Sequence, residues 1–247
     1  MLRLLALFRN ILGWVDFVVF TALMYLLSWL PWHGTRPMVW LFRSWCRTFV
    51  RAMGIDLRLH QKYRGSLPAQ YILIANHPGA LEDIGIPALF DAVSLAKLQV
   101  QDWFIVGRIT RLGGTLYVDR DDPASRHQAV EIMVQAVNAG KNIALYPEGG
   151  CKGRRLYSEF KSGAFEVSLR TGVPILPIVV HCEAQDDFEW REPYLLPHKI
   201  WHMTRSVNNR VNVYVHDPLD PKDYADKYAM KAAAYALYTR WNAQYLE

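Results

Sequence analysis

Histidine is the side chain best suited to move a proton near neutral pH, and His77 stands in a context that suits the task. It lies in the run Asn76-His77-Pro78-Gly79-Ala80-Leu81-Glu82-Asp83. A carboxylate held against one ring nitrogen fixes the tautomer and stabilises the imidazolium. Pro78 and Gly79 turn the chain, so Glu82 or Asp83, five or six positions on, can come back to the ring. A histidine at a strand end also serves as a plain local hydrogen-bonding group, and this cluster alone leaves both readings open.

Three further clusters carry charge or glycine. Gly113-Gly114-Thr115-Leu116-Tyr117-Val118-Asp119-Arg120 ends on a guanidinium that can fork onto a phosphate or form an ordinary ion pair with Asp119 or Asp121. Tyr146-Pro147-Glu148-Gly149-Gly150-Cys151-Lys152-Gly153-Arg154-Arg155 combines glycines, which let backbone N–H groups approach an anion, with cations that supply charge. The Walker pattern GxxxxGK[ST] is absent, and a flexible basic loop fits the same residues. Cys151 offers a thiol, but nothing in the sequence places a base beside it, so no nucleophilic role is assigned. Phe160-Lys161-Ser162-Gly163-Ala164-Phe165, followed by Val173-Pro174-Ile175-Leu176-Pro177-Ile178, reads as helix and strand core, with Lys161 a surface charge.

Alternating strands and helices must position these groups. Residues 71–76, 103–106, 115–119, 142–147, 174–180 and 211–216 read as strands. Residues 81–90, 123–139, 160–171 and 221–246 read as helices, the second starting at Pro123 and stopping at Gly140. That alternation predicts an α/β fold, a mostly parallel sheet flanked by helices, with sites at the carboxyl ends of strands. Asn76-His77, Asp119-Arg120 and Glu148-Gly149-Gly150 all fall at such ends. Residues 183–205 are irregular and receive no role.

The chain ahead of this pattern is different. Residues 11–31 form an apolar run broken by Asp16, and about 20 residues can cross the ~30 Å hydrocarbon core. Residues 37–53 predict a second helix with Arg43, Arg47 and Arg51 on one face and aromatics around the rest. It suits either the plane of a bilayer interface or ordinary core packing with a solvated arginine stripe. The net charge is +5, and residues 1–65 hold nine Lys/Arg against Asp16 and Asp56. A basic surplus confined to an apolar stretch points to anionic lipid, not nucleic acid. Cys46, Cys151 and Cys182 stand far apart with no CxxC pair; neither a disulfide framework nor a metal site is expected, and a reducing compartment fits. Residues 1–56 are expected to be membrane-associating helices and residues 57–247 the catalytic domain.

Taken in order, the four clusters resemble the glycerolipid acyltransferase family that includes 1-acylglycerol-3-phosphate acyltransferases. Its blocks are Asn-His-x4-Asp, Gly-x-x-Phe-x-Asp-Arg, Phe-Pro-Glu-Gly-Thr-Arg-Ser and Val-Pro-x-x-Pro, matched here from Asn76 to Pro177. The resemblance implies an acyl thioester co-substrate on acyl carrier protein or coenzyme A, no other cofactor, and a lysophospholipid acceptor, foremost 1-acylglycerol-3-phosphate. Other acceptors such as lyso-ornithine lipid, a transacylase, or a non-catalytic lipid-binding homologue are the alternatives. It implies membrane association, with the site on the cytoplasmic face of the inner membrane. His77 is then the general base, with Glu82 as its partner and Asp83 in reserve. Arg120, Glu148, Gly149, Gly150, Lys152, Arg154 and Lys161 are the expected substrate-binding residues. Backbone N–H groups near Gly149 or Gly79 are expected to meet the oxyanion.

Two positions depart from the family. Glu82 stands where Asp is usual, as in the related branch that acylates lipid A precursors. Gly150-Cys151 replaces Thr-Arg and removes a phosphate-binding arginine, for which Lys152, Arg154 or Arg155 is the expected substitute.

Overall fold

A strand that is apolar on both faces must be covered on both sides, and Ile72-Leu73-Ile74-Ala75 is such a strand. The computed structural model describes residues 2–151, 153–191 and 195–245, with the backbone alone for residues 2–9. Along the chain the elements are α1 (Leu2–Leu27), α2 (Arg36–Ala52), β1 (Asp56–Gln61), β2 (Ile72–Ala75), α3 (Glu82–Leu89), β3 (Val93–Lys97), α4 (Val106–Leu112), β4 (Leu116–Val118), α5 (Pro123–Asn138), β5 (Ile143–Leu145), α6 (Gly163–Thr171), β6 (Ile175–Cys182), α7 (Gln185–Phe188), α8 (Leu196–Arg205), β7 (Arg210–Val215) and α9 (Lys227–Tyr245).

The sheet order is β1-β7-β6-β2-β5-β3-β4. All pairings are parallel except β6 with β7, so the expected mostly parallel sheet is present. β2 lies at its centre, buried along its whole length. One apolar cluster joins the sheet to α1, α2 and α3; a second lies under α5, α6 and α9. Because β2, β4 and β5 run the same way, the chain leaves all three on one side. There it delivers Asn76-His77, Asp119-Arg120 and Tyr146-Pro147-Glu148.

Asp122 caps α5 by accepting from the N–H groups of Ala124 and Ser125, and Pro123 stands in the first turn, where the sequence placed it. Tyr238 of α9 pins the two central strands. Its buried hydroxyl donates toward the carbonyls of Ile74 (2.8 Å) and Ile178 (2.9 Å) and accepts from the Ile178 N–H at 3.1 Å. Tyr238→Phe is expected to lower unfolding free energy by about 1–3 kcal/mol, because it leaves buried backbone groups unpaired; urea denaturation in detergent measures it.

Three expectations need correction. Residues 103–106 are not a strand: Leu98–Asp102 is a short 3-10 turn and α4 begins at Val106. Trp103, Phe104 and Ile105 are exposed, so this apolar run serves the surface and not the core. β1 and β3 were not anticipated. The arginine stripe is only partly solvated: Arg43 is largely covered, whereas Arg47 is exposed but hydrogen-bonded to the protein. Arg43 Nε donates to the Pro87 carbonyl at 3.3 Å and Arg47 Nε to the Ala88 carbonyl at 2.8 Å, satisfying the carboxyl end of α3. Met38, Phe42, Trp45 and Phe49 of α2 are buried, which is the core-packing reading of that helix.

α1 packs one face on α2, where Phe17 stacks on Phe49 at 4.5 Å and Trp45 Nε1 donates to Thr21 Oγ1 at 2.8 Å. Ile11, Leu12, Val15, Val18, Val19, Leu23 and Leu26 remain exposed. Asn10–Leu27 is long and apolar enough, by length and composition, to cross a membrane.

Candidate active site

His77 follows directly from β2, and the Pro78-Gly79 turn carries the chain into α3, whose first residues are Glu82 and Asp83. The turn works only with glycine at position 79: a Cβ there would lie 2.3 Å from the Phe188 carbonyl oxygen. Glu82 is thereby folded back onto the ring, and its Oε2 lies 3.0 Å from His77 Nδ1. The same oxygen accepts from the Gly79 N–H at 3.0 Å. A carboxylate oxygen can only accept, so in the neutral ring Nδ1 carries the proton and Nε2 presents its lone pair. Glu82 is thus the partner on Nδ1. Asp83 Oδ2 stands on the other side of the ring, 3.9 Å from Nε2, with its side chain 57% exposed.

The rest of the setting is built from the segment after β5. Tyr146 stacks on the imidazole with centroids 4.0 Å apart and planes 15° apart. Glu148 is buried, and its two carboxylate oxygens accept from the N–H groups of His77 and Tyr157, each at 2.9 Å. It therefore ties the glycine loop to the histidine strand, a structural use at a position expected to bind substrate. Gly149 takes φ +78°, and Arg120 donates to its carbonyl at 2.9 Å. The Gly149 N–H goes to the Tyr146 carbonyl and the Gly79 N–H to Glu82, so both of these groups are engaged within the protein.

Arg154 does not reach the site as a free cation. It forms ion pairs with Glu189 at 2.7 Å and with Asp186, and its backbone N–H also donates to Glu189 at 3.1 Å. These partners belong to residues 183–205, expected to be irregular and given no role, where the chain instead forms α7 and α8. That stretch also braces the histidine turn, through the Trp190 N–H on the Pro78 carbonyl at 2.8 Å. Lys152 lies outside the described residues. Gly150 sits against Arg120, and Lys161 packs along Gly149.

The base that the sequence could not place beside Cys151 is His77 itself: Sγ lies 3.2 Å from Nε2 and 2.9 Å from the Gly79 carbonyl oxygen. Tyr146 and Cys151 were the functional neighbours missed. Both stand in the glycine cluster, 69 and 74 positions from His77, with no local pattern to link them to it.

Two cavities meet at Arg120. One of about 590 Å³ is lined by His77, Asp83, Arg120 and Cys151, and by Trp14, Phe17, Phe42, Trp45 and Phe49 of α1 and α2. The other, about 390 Å³, gathers Arg120, Arg126 and Lys161 with Gly149. Among the described residues no cluster of His, Cys, Asp and Glu is arranged to hold a metal ion.

Burial disfavours the imidazolium, but the Asp83 carboxylate, Cys151 and Glu82 outweigh it and hold the His77 pKa well above its ordinary value. Only the neutral ring can accept a proton, so activity should rise with pH through a pKa higher than that of free histidine. Removing the Asp83 charge destabilises the cation and lowers that pKa. Asp83→Asn should therefore move the ascending limb of the kcat/KM–pH profile to lower pH; no movement would remove Asp83 from the electrostatics of the ring.

The Acyltransferase family model matches residues 58–181, about half of the chain. A lyso-ornithine lipid O-acyltransferase of Rhizobium meliloti (strain 1021) is 27% identical over 153 residues, covering 62% of this chain and 51% of that protein. A 1-acyl-sn-glycerol-3-phosphate acyltransferase of Neisseria gonorrhoeae is 19% identical over 168 residues, 66% of each chain. The chain thus spans about half the length of the first of these relatives and two thirds of the second. The crystal structure of the 1-acyl-sn-glycerophosphate acyltransferase PlsC from Thermotoga maritima superimposes with a TM-score of 0.65 at 16% identity, over 99% of this chain and 97% of that one. At that identity the likeness carries the fold.

Proposed function

Because this chain belongs to the acyltransferase family, we propose that it moves a fatty acyl group from an acyl thioester to the hydroxyl of a lyso-lipid, with His77 as the general base. The observation that carries this is an imidazole whose Nδ1 is fixed by Glu82 and whose ring lines an apolar cavity running against α1 and α2. The cavity suits an acyl chain. Nε2 takes the proton from the attacking hydroxyl and returns it to the departing thiolate. Arg120 holds the anionic part of a substrate where the two cavities meet. The exposed apolar face of α1, with Trp29, Trp40 and Phe104, suits burial in a bilayer. Residues 1–56 are then the module that brings residues 57–247 to an insoluble acceptor, on the cytoplasmic side where acyl carriers are found.

Two acceptors are weighed. 1-Acylglycerol-3-phosphate would place its phosphate between Arg120 and Lys161. Lyso-ornithine lipid has no phosphate, and a specific observation favours it: the family's phosphate-binding arginine is replaced by Cys151, and Arg154 is tied to Glu189 and Asp186. The test is mass spectrometry of products after incubation with palmitoyl-CoA or palmitoyl-acyl carrier protein and a panel of lyso-lipids. More product from lyso-ornithine lipid than from 1-acylglycerol-3-phosphate is expected. The reverse order restores the phosphate acceptor, and no product from any lyso-lipid with either donor contradicts the proposed function.

A further inference from the structure

The place that an acceptor hydroxyl must occupy to give its proton to His77 Nε2 is already filled by a nucleophile of this chain. Cys151 Sγ lies 3.2 Å from Nε2, and Nδ1 of the same ring lies 3.0 Å from Glu82 Oε2. The thiol also lies 2.9 Å from the Gly79 carbonyl oxygen, so its one hydrogen can turn to either acceptor; a thiol, an imidazole and a carboxylate within hydrogen-bond distance of one another in series form the arrangement that activates a nucleophile. Cys151 is partly exposed and lines the 590 Å³ apolar cavity beside His77, so an acyl chain lying there would bring its carbonyl to the sulfur. The other two cysteines, Cys46 and Cys182, are buried and have no such setting.

We propose that Cys151 is the first acceptor of the acyl group, so that transfer passes through an S-acyl-cysteine. This rests on the acyltransferase reading above. In the first half, Sγ attacks the thioester carbonyl while His77 Nε2 takes the thiol proton. The tetrahedral adduct collapses, the carrier C–S bond breaks, and the carrier thiolate leaves with the proton from His77. One thioester is exchanged for another, so the step needs no energy source and no oxidant. In the second half, the lyso-lipid hydroxyl gives its proton to Nε2 and attacks the S-acyl carbonyl. The Cys151 C–S bond breaks, the ester is released, and the thiolate recovers the proton. Burial pushes the Cys151 pKa up although its hydrogen bond to His77 pulls it down. The resting group is therefore the thiol, and proton removal belongs to the attack itself.

The test mixes the full chain in detergent with palmitoyl-CoA and no acceptor, quenches on the time scale of a turnover, and weighs the intact protein. The expected result is a mass increase of one palmitoyl group, mapped to Cys151, released by neutral hydroxylamine and chased into lipid when lyso-lipid is added. Initial rates should give parallel double-reciprocal lines, and Cys151→Ala should lose on the order of 100-fold or more in turnover. The absence of an adduct while product forms, an adduct that lyso-lipid does not discharge, or wild-type turnover in Cys151→Ala would each overturn the proposal. The first and third leave the wider reading standing if His77→Ala is inactive, since the hydroxyl then attacks the carrier thioester directly. Loss of lipid product from the wild-type chain overturns both. The wild-type adduct is scored without any variant, so a poorly folding Cys151→Ala does not decide the outcome.

Discussion

His77→Ala is expected to reduce acyl-transfer turnover on the order of 10²–10⁴-fold while leaving membrane association unchanged. Removing a general base typically costs that much. The imidazole is buried between Tyr146 and the two carboxylates, and the Glu82 oxygen that faced Nδ1 still holds the Gly79 N–H, so the turn keeps one of its ties. Unfolding in urea and binding to vesicles containing anionic lipid provide the control. A variant that stays folded and bound yet transfers acyl groups at the wild-type rate would remove His77 from the chemistry.

The second large effect is expected from Glu82→Gln, about 10²–10⁴-fold in kcat with little change in KM. The substitution preserves shape and an acceptor oxygen for Gly79, but it removes the charge that stabilises the imidazolium as the proton arrives. It also allows the amide to turn its NH₂ toward Nδ1, which selects the wrong tautomer and places a proton on Nε2. Steady-state kinetics separate this from lost binding: a rise in KM at unchanged kcat would mean that Glu82 orders substrate and not the ring.

How much of this was legible follows from range. Contacts across a few residues could be read from spacing: a carboxylate five or six positions from His77, narrowed to Glu82 by the family resemblance, Pro123 opening a helix, β2 as a short apolar run ending at a polar pair. The strand alternation then placed three clusters at one end of the sheet because parallel strands share a direction. What failed was either non-local or ambiguous in period. Residues 103–106 look like a buried strand because apolar runs bound for a surface and for a core are written with the same residues. β3, Val93–Lys97, is short and only partly buried along most of its length, so it leaves no alternating signature. Arg154 read as a free cation because Glu189 lies 35 positions away, in a stretch without periodicity. The bracing use of Glu148 was not legible because sequence does not show the two distant backbone N–H groups that its carboxylate accepts from. The Cys151–His77 contact joins two loops that the adjacent pairing of β2 and β5 brings together; that pairing, with both loops leaving the same end of the sheet, is the signal that was available.

The central claim is that His77 and Glu82 act as one proton-transferring unit. The most direct measurement is the turnover of His77→Ala, Glu82→Gln and the double variant on one lyso-lipid with one acyl thioester, each shown to be folded. Groups that work through a single proton are not additive, so the double variant should be no slower than His77→Ala alone. Losses that multiply, or a Glu82→Gln variant as active as the wild type, would contradict it.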